Sequence, residues 1–213
     1  MLSQISTLIF DLDGTLGDPR TGIHRCINHA MEYYGYPPVA EECVVALIGP
    51  PLDEIFRRLL PEADQSTLID LVSRYRERYA EMGYAESRLY PGIPEALQAL
   101  SESGLRLGVC TSKRSDFAEQ ILTLFKLRSL FAFVSGGDVG IAKSTQLSEL
   151  LSDGEIDHQA IMIGDRYIDI ESARANGLRS IGVLWGFGDY QELLMAGADV
   201  ILDKPADLKR LTR

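Results

Sequence analysis

The chain has 213 residues and a formal net charge of −10, from 21 Lys and Arg against 31 Asp and Glu. Hydrophobic residues make up 46% and charged residues 24%, the balance of an ordinary globular chain long enough for a large core domain plus an insert. So acidic a chain argues against a nucleic-acid-binding surface, and an anionic substrate would need a local cluster of cations or a metal. Cys26, Cys43 and Cys110 are widely spaced and show no zinc pattern, which fits a reducing compartment. The N-terminus has no basic region followed by a long apolar run, and no stretch reaches ~18 apolar residues, so the expected location is cytoplasmic, without membrane attachment.

In chain order, the first element is an apolar strand, Ile5–Phe10, that runs directly into Asp11-Leu12-Asp13-Gly14-Thr15-Leu16. Side chains two apart on a strand share a face, so Asp11 and Asp13 crowd one space. Two anions that close shift each other's pKa unless a cation lies between them or one keeps its proton. An Asp-Gly turn after a strand is the ordinary alternative.

Residues 18–85 then read as all helical, over 19–35, 40–47, 52–60 and 64–82, punctuated by Pro37-Pro38, Gly49-Pro50-Pro51 and Pro61. A helical segment inserted there is expected to act as a cap at the strand's carboxyl end, where open α/β sheets bind ligands. His24, Arg25, Arg57 and Arg58 are its polar candidates for substrate contact, with Arg20 and Arg166 beside the motifs; a solvated helix face explains such charges equally well.

From residue 88 onward, short apolar strands (Leu105–Cys110, Phe131–Val134, Ala160–Ile163, Ser180–Leu184, Asp199–Leu202) alternate with helical stretches near 93–103, 114–127, 144–152, 168–176, 189–196 and 205–212. That alternation predicts a parallel sheet of about five or six strands covered on both faces. The expected domains are therefore an α/β core over 1–17 and 86–213 and a helical insert over 18–85.

Three further strand–helix junctions carry chemistry. Thr111-Ser112-Lys113 offers hydroxyls that either cap the next helix or, with backbone N–H groups, face an anion. Lys143, in Gly140-Ile141-Ala142-Lys143 after the loop Ser135-Gly136-Gly137-Asp138, opens a helix where a cation opposes the macrodipole; a solvated lysine and a phosphate contact both remain open. Gly164-Asp165-Arg166-Tyr167-Ile168-Asp169 ends another buried strand in an aspartate with a second one four positions on. Asp169 could equally be a helix cap. Four junctions at one sheet edge bring together hard carboxylate oxygens with no His or Cys, which suits Mg²⁺, and a lysine and hydroxyls, which suit a phosphoryl group.

These residues resemble the four motifs of the haloacid dehalogenase superfamily: Asp-Leu-Asp-Gly-Thr-Leu at 11–16, the Thr111 junction, Lys143, and Gly-Asp-x-x-x-Asp at 164–169. The insert resembles that superfamily's C1-type cap. Gly49-Pro50-Pro51-Leu52, Tyr90-Pro91-Gly92 and Trp185-Gly186-Phe187-Gly188 resemble its phosphoglycolate phosphatase-like branch. The resemblance implies an α/β class with a Rossmann-like parallel core, and a Mg²⁺-dependent phosphatase acting on a small phosphorylated metabolite as monomer or homodimer.

By position, the resemblance makes Asp11 the nucleophile that forms an aspartyl-phosphate and Asp13 the acid and then the base. Gly14, Thr111, Ser112 and Lys143 bind the phosphoryl group, with Lys113 a second candidate lysine. Asp11, Asp165 and the backbone carbonyl of Asp13 bind the metal, and Asp169 orients its water shell. A 5′-nucleotidase, pyrophosphatase or phosphosugar mutase of the same superfamily would carry the same set, and so would a phosphometabolite-binding protein without turnover. Phosphate release separates the last reading, and a requirement for a hexose bisphosphate separates the mutase.

Overall fold

In the computed structural model, residues 5–48, 52–137 and 141–212 are described. Gly49-Pro50-Pro51 of the insert motif, and Asp138 and Gly140 of the loop before Lys143, lie outside them. The chain divides into two compact units, residues 1–18 with 89–213, and residues 19–88.

Among the described residues, the larger unit is built on a six-stranded sheet. Its strands are β1 (Thr7–Phe10), β4 (Arg106–Arg114), β5 (Phe133–Gly137), β6 (Ile161–Gly164), β7 (Arg179–Val183) and β8 (Val200–Leu202), in the order β5-β4-β1-β6-β7-β8. Every neighbouring pair is parallel. The α/β class and parallel core expected from the alternation are what the chain adopts. β2 (Gly17–Asp18) and β3 (Arg88–Leu89) form a separate two-stranded sheet.

The helices of this unit are α5 (Ile93–Glu102), α6 (Ser115–Leu124), α7 (Lys143–Ser152), α8 (Tyr167–Ala175) and α9 (Tyr190–Ala196). All four residues of β1 are buried, because helices cover the sheet on both faces; hence the unbroken Leu8-Ile9-Phe10 run rather than an alternating one. One core layer joins Ile9, Cys110 and Met162 from three adjacent strands to Leu147 of α7 and Ala173 of α8. A smaller cluster, Ile170, Leu193 and Ala196, seats α9 on α8. Asp189 caps α9 by accepting the Glu192 N–H at 2.8 Å. The C-terminal segment expected as a helix over 205–212 is a 3-10 helix, Pro205–Leu211.

The smaller unit contains α1 (Arg20–Tyr33), α2 (Glu41–Val45), α3 (Leu52–Leu59), α4 (Gln65–Glu81) and a 3-10 turn, Gly83–Glu86. α4 packs against both α1 and α3. Arg78 and Arg25 converge on Glu86, at 2.9 and 2.7 Å, and tie α1, α4 and the turn together. No helix among the described residues is long and apolar enough to cross a membrane.

Candidate active site

The strand order decides where the acidic residues meet. The chain leaves β1 for β4 and β5 on one side, then crosses to β6 on the other, which makes the carboxyl end of β1 the switch point of the sheet. The Asp11 N–H donates to the Ile163 carbonyl at 2.9 Å, carrying the β1–β6 pairing one residue past the strand. The following turn is closed by Gly14 N–H to the Gly17 carbonyl at 2.8 Å, and by Leu16 and Gly17 N–H groups that share the Leu12 carbonyl at 3.0 Å each. Gly14 takes φ +87°, and a Cβ there would lie 2.1 Å from Asp165 Oδ2, so the motif needs glycine both for its turn and for its neighbour.

β4 runs on through Thr111, which pairs with Gly136 before the register shifts toward Arg114. This corrects the helix-cap reading of Thr111 and Ser112. α6 begins only at Ser115, and its N-cap, Arg114, makes no side-chain cap bond. The Thr111 hydroxyl instead accepts the Lys113 N–H at 3.2 Å, and Ser112 is exposed. Gln146, one turn into α7 and buried, donates from Nε2 to the Thr111 carbonyl at 3.2 Å, and its Oε1 has no partner among the described residues. Sequence reasoning did not single out Gln146; its signal was a polar residue on the buried face of the helix that starts at Lys143.

Lys143 opens α7 with its side chain 2% exposed, its Nζ 2.9 Å from Asp11 Oδ1 and hydrogen-bonded to Asp169 Oδ1. Burial works against the ammonium, but Asp11 and Asp169 outweigh it and hold its pKa above the ordinary range. Asp169 also accepts the Arg166 N–H at 3.0 Å, so it caps α8 while facing Lys143. Burial raises its pKa despite that lysine.

Asp165 is fully buried. Its Oδ1 accepts from the Thr15 hydroxyl at 3.1 Å, and its Oδ2 accepts from the Phe187 N–H at 2.8 Å. Burial first, then Asp169 and Asp11, push its pKa up to about 8. Asp13 faces a different lysine: Lys113 Nζ lies 2.8 Å from its Oδ2. Burial raises the Asp13 pKa, Lys113 pulls it back and Asp11 adds to the rise.

Carboxylate oxygens of Asp11, Asp165 and Asp169 lie within 4.8 Å of one another, a group that could hold a metal ion. The chemistry of the set fits a hard divalent cation: all donors are oxygen, and three carboxylates against one lysine leave an excess of two negative charges when all are ionised. The Asp13 carboxylate is outside this group, on Lys113.

The remaining candidates have partners of their own. A His24 ring nitrogen lies 2.8 Å from the Val39 carbonyl oxygen, Arg25 pairs with Glu86 at 2.7 Å, Arg57 donates to Gln65 at 2.8 Å, and Arg58 pairs with Glu54. Arg20 is the first residue of α1, and Arg166 donates to Glu192 at 2.8 Å.

The family model described as haloacid dehalogenase-like hydrolase matches residues 8–183. A 5′-nucleotidase from Pseudomonas aeruginosa is 37% identical over 191 residues, covering 87% of this chain and 86% of that protein. A phosphoglycolate phosphatase from Agrobacterium fabrum is 35% identical over 213 residues, covering 94% and 89%. A hydrolase from Streptococcus pneumoniae, a haloacid dehalogenase-like family protein, superposes with a TM-score of 0.90 at 28% identity, over 98% of this chain and 99% of that one.

Proposed function

Because the chain belongs to the haloacid dehalogenase-like hydrolase family and is a phosphoric monoester hydrolase, we propose that it is a Mg²⁺-dependent phosphatase of a small metabolite, with phosphoglycolate the leading substrate and Asp11 the phosphoryl acceptor. The observation that carries this reading is the division of charge at the end of β1. Asp11 is paired with Lys143 inside the acidic group, while Asp13, two residues on, is paired separately with Lys113.

An Asp11 carboxylate oxygen attacks phosphorus as the ester P–O bond breaks, and Asp13 delivers its proton to the departing alkoxide. Burial favours the protonated Asp13 that this step needs. Asp13 then takes a proton from water, whose oxygen attacks phosphorus; the bond to Asp11 breaks and phosphate leaves. Lys143 offsets the charge of Asp11 as the anionic phosphoryl group approaches. Thr111, Ser112 and the backbone at Gly14 hold the phosphoryl oxygens. Asp11, Asp165 and the Asp13 carbonyl would hold Mg²⁺, with Asp169 orienting its waters, and the ion would supply Lewis-acid neutralisation of the transferring group.

A nucleoside 5′-monophosphate is the second substrate reading, favoured by the 37% identity to the 5′-nucleotidase. The test is phosphate release from p-nitrophenyl phosphate with Mg²⁺, followed by kcat/KM ranking of phosphoglycolate, nucleoside monophosphates, pyrophosphate and sugar phosphates. Asp11→Asn should lower kcat by several orders of magnitude, on the order of what loss of a nucleophile costs other hydrolases. No release across the whole panel would end the enzymatic reading.

A further inference from the structure

The loop after β7, Trp185-Gly186-Phe187-Gly188, reaches two of the motifs at once. The Trp185 indole Nε1–H donates to the Thr15 carbonyl at 2.9 Å. Thr15 is completely buried and turns its hydroxyl onto Asp165 Oδ1 at 3.1 Å. Two residues after Trp185, the Phe187 N–H holds the other oxygen, Oδ2, at 2.8 Å. The loop lies so close that a Cβ on Gly186 would stand 2.4 Å from Asp165 Oδ2 and 2.4 Å from the Gly14 carbonyl oxygen. Each Asp165 oxygen therefore has one acceptor direction fixed by the chain, and the carboxylate keeps further lone pairs for a cation.

We propose that Trp185 is a positioning residue: by holding the Thr15 backbone it fixes the Thr15 hydroxyl on Asp165, and so sets the affinity of the acidic group for a divalent cation. The inference rests on the cation site proposed above. Thr15 is gripped at its carbonyl and spends its hydroxyl on Asp165, so loss of the indole N–H leaves a buried carbonyl unpaired and frees the turn to shift. Outer partners that orient a ligating carboxylate typically change metal affinity by about 10–100-fold when removed.

The experiment is calorimetric titration with Mn²⁺ alone of the wild type, Trp185→Phe, Thr15→Val, Thr15→Ser and the Trp185→Phe/Thr15→Val double variant. kcat and KM for p-nitrophenyl phosphate at saturating Mn²⁺ are measured in parallel. Trp185→Phe should raise the Mn²⁺ Kd by about tenfold, with a smaller change in kcat at saturating metal and little change in substrate KM. Thr15→Ser should stay near the wild type. The double variant should bind no more weakly than Thr15→Val alone, because both changes interrupt one chain of contacts.

A Trp185→Phe Kd within about twofold of the wild type overturns the proposal, and so does an additive double variant. Trp185 is the single tryptophan of the sequence, so its emission gives a check that needs no variant. A Mg²⁺ titration of the wild type should shift that emission with the midpoint of metal binding, and emission unmoved by bound metal also overturns the proposal. A wild type that binds no Mn²⁺ refutes the cation site itself, a result distinct from a wild type that binds while Trp185→Phe binds equally well.

Discussion

Replacing Lys143 with methionine keeps the buried aliphatic stem and removes the positive charge that touches both Asp11 and Asp169. Its side chain is 2% exposed, so water cannot take over the ammonium's role. Removing one partner of a buried ion pair costs about 3–5 kcal/mol, because the remaining charge is left uncompensated. The site has one relief, which is to protonate a carboxyl.

Asp169 already has a folded-state pKa above its unfolded value through burial, and losing Lys143 raises it further. A carboxyl of that kind contributes stability that is fully present below its unfolded pKa of about 3.9 and is lost as pH rises through the folded value. The deficit of Lys143→Met should therefore reach about 3–5 kcal/mol at pH 8 and shrink to about 1–2 kcal/mol at pH 5, where the proton replaces the lysine. Urea unfolding of both proteins in EDTA at the two pH values measures it from the shift in midpoint at constant m. A deficit that is the same at both pH values, or below about 1 kcal/mol at pH 8, refutes the reasoning.

Two more outcomes follow from the same site. Asp165, with its pKa near 8 in the metal-free fold, binds a proton that the unfolded chain releases near pH 4, so metal-free stability should fall as pH rises between those values. Mg²⁺ bound at the proposed site would displace that proton, so the Mg²⁺-induced rise in Tm should be larger at pH 8.5 than at pH 6; equal rises would contradict it. Gly14→Ala forces an alanine to φ +87° and sets a Cβ 2.1 Å from Asp165 Oδ2. It should cost at least about 2 kcal/mol in urea and weaken Mn²⁺ binding, whereas wild-type stability and affinity would show that the turn moves freely.

Much of this core was readable because its central strands β1 and β6 are buried throughout and so are written as short apolar runs, with Asp11 and Asp165 where those runs stop. What escaped the sequence depended on distant chain. Thr111 stays in β4 because Gly136 of β5 pairs with it, and no local pattern announces that partner. Lys113 reads as a second candidate lysine for a phosphate, and nothing local shows that its ammonium lies on Asp13, a residue one hundred positions earlier. Thr15 lay inside the most conspicuous motif and still gave no sign that its hydroxyl serves Asp165. The Trp185 loop was noticed only as a resemblance, since its target, the Thr15 carbonyl, is a backbone atom and leaves no trace in residue identity.

The central position of β1 has a consequence for synthesis. Its register partners are Arg106–Val109 on one side and Ile161–Ile163 on the other, so β1 is made well before either neighbour and gains the second only once β6 has followed. Until then a short segment, Thr7–Phe10, waits with its three large apolar side chains unpacked, and the two aspartates after it have neither Lys143 nor Asp165 beside them. Parallel pairing over such separations forms slowly and leaves apolar edges exposed meanwhile. A chain cut anywhere before β6 therefore carries Asp11 without Asp165 and Asp169, so the acidic group comes together in a single late event.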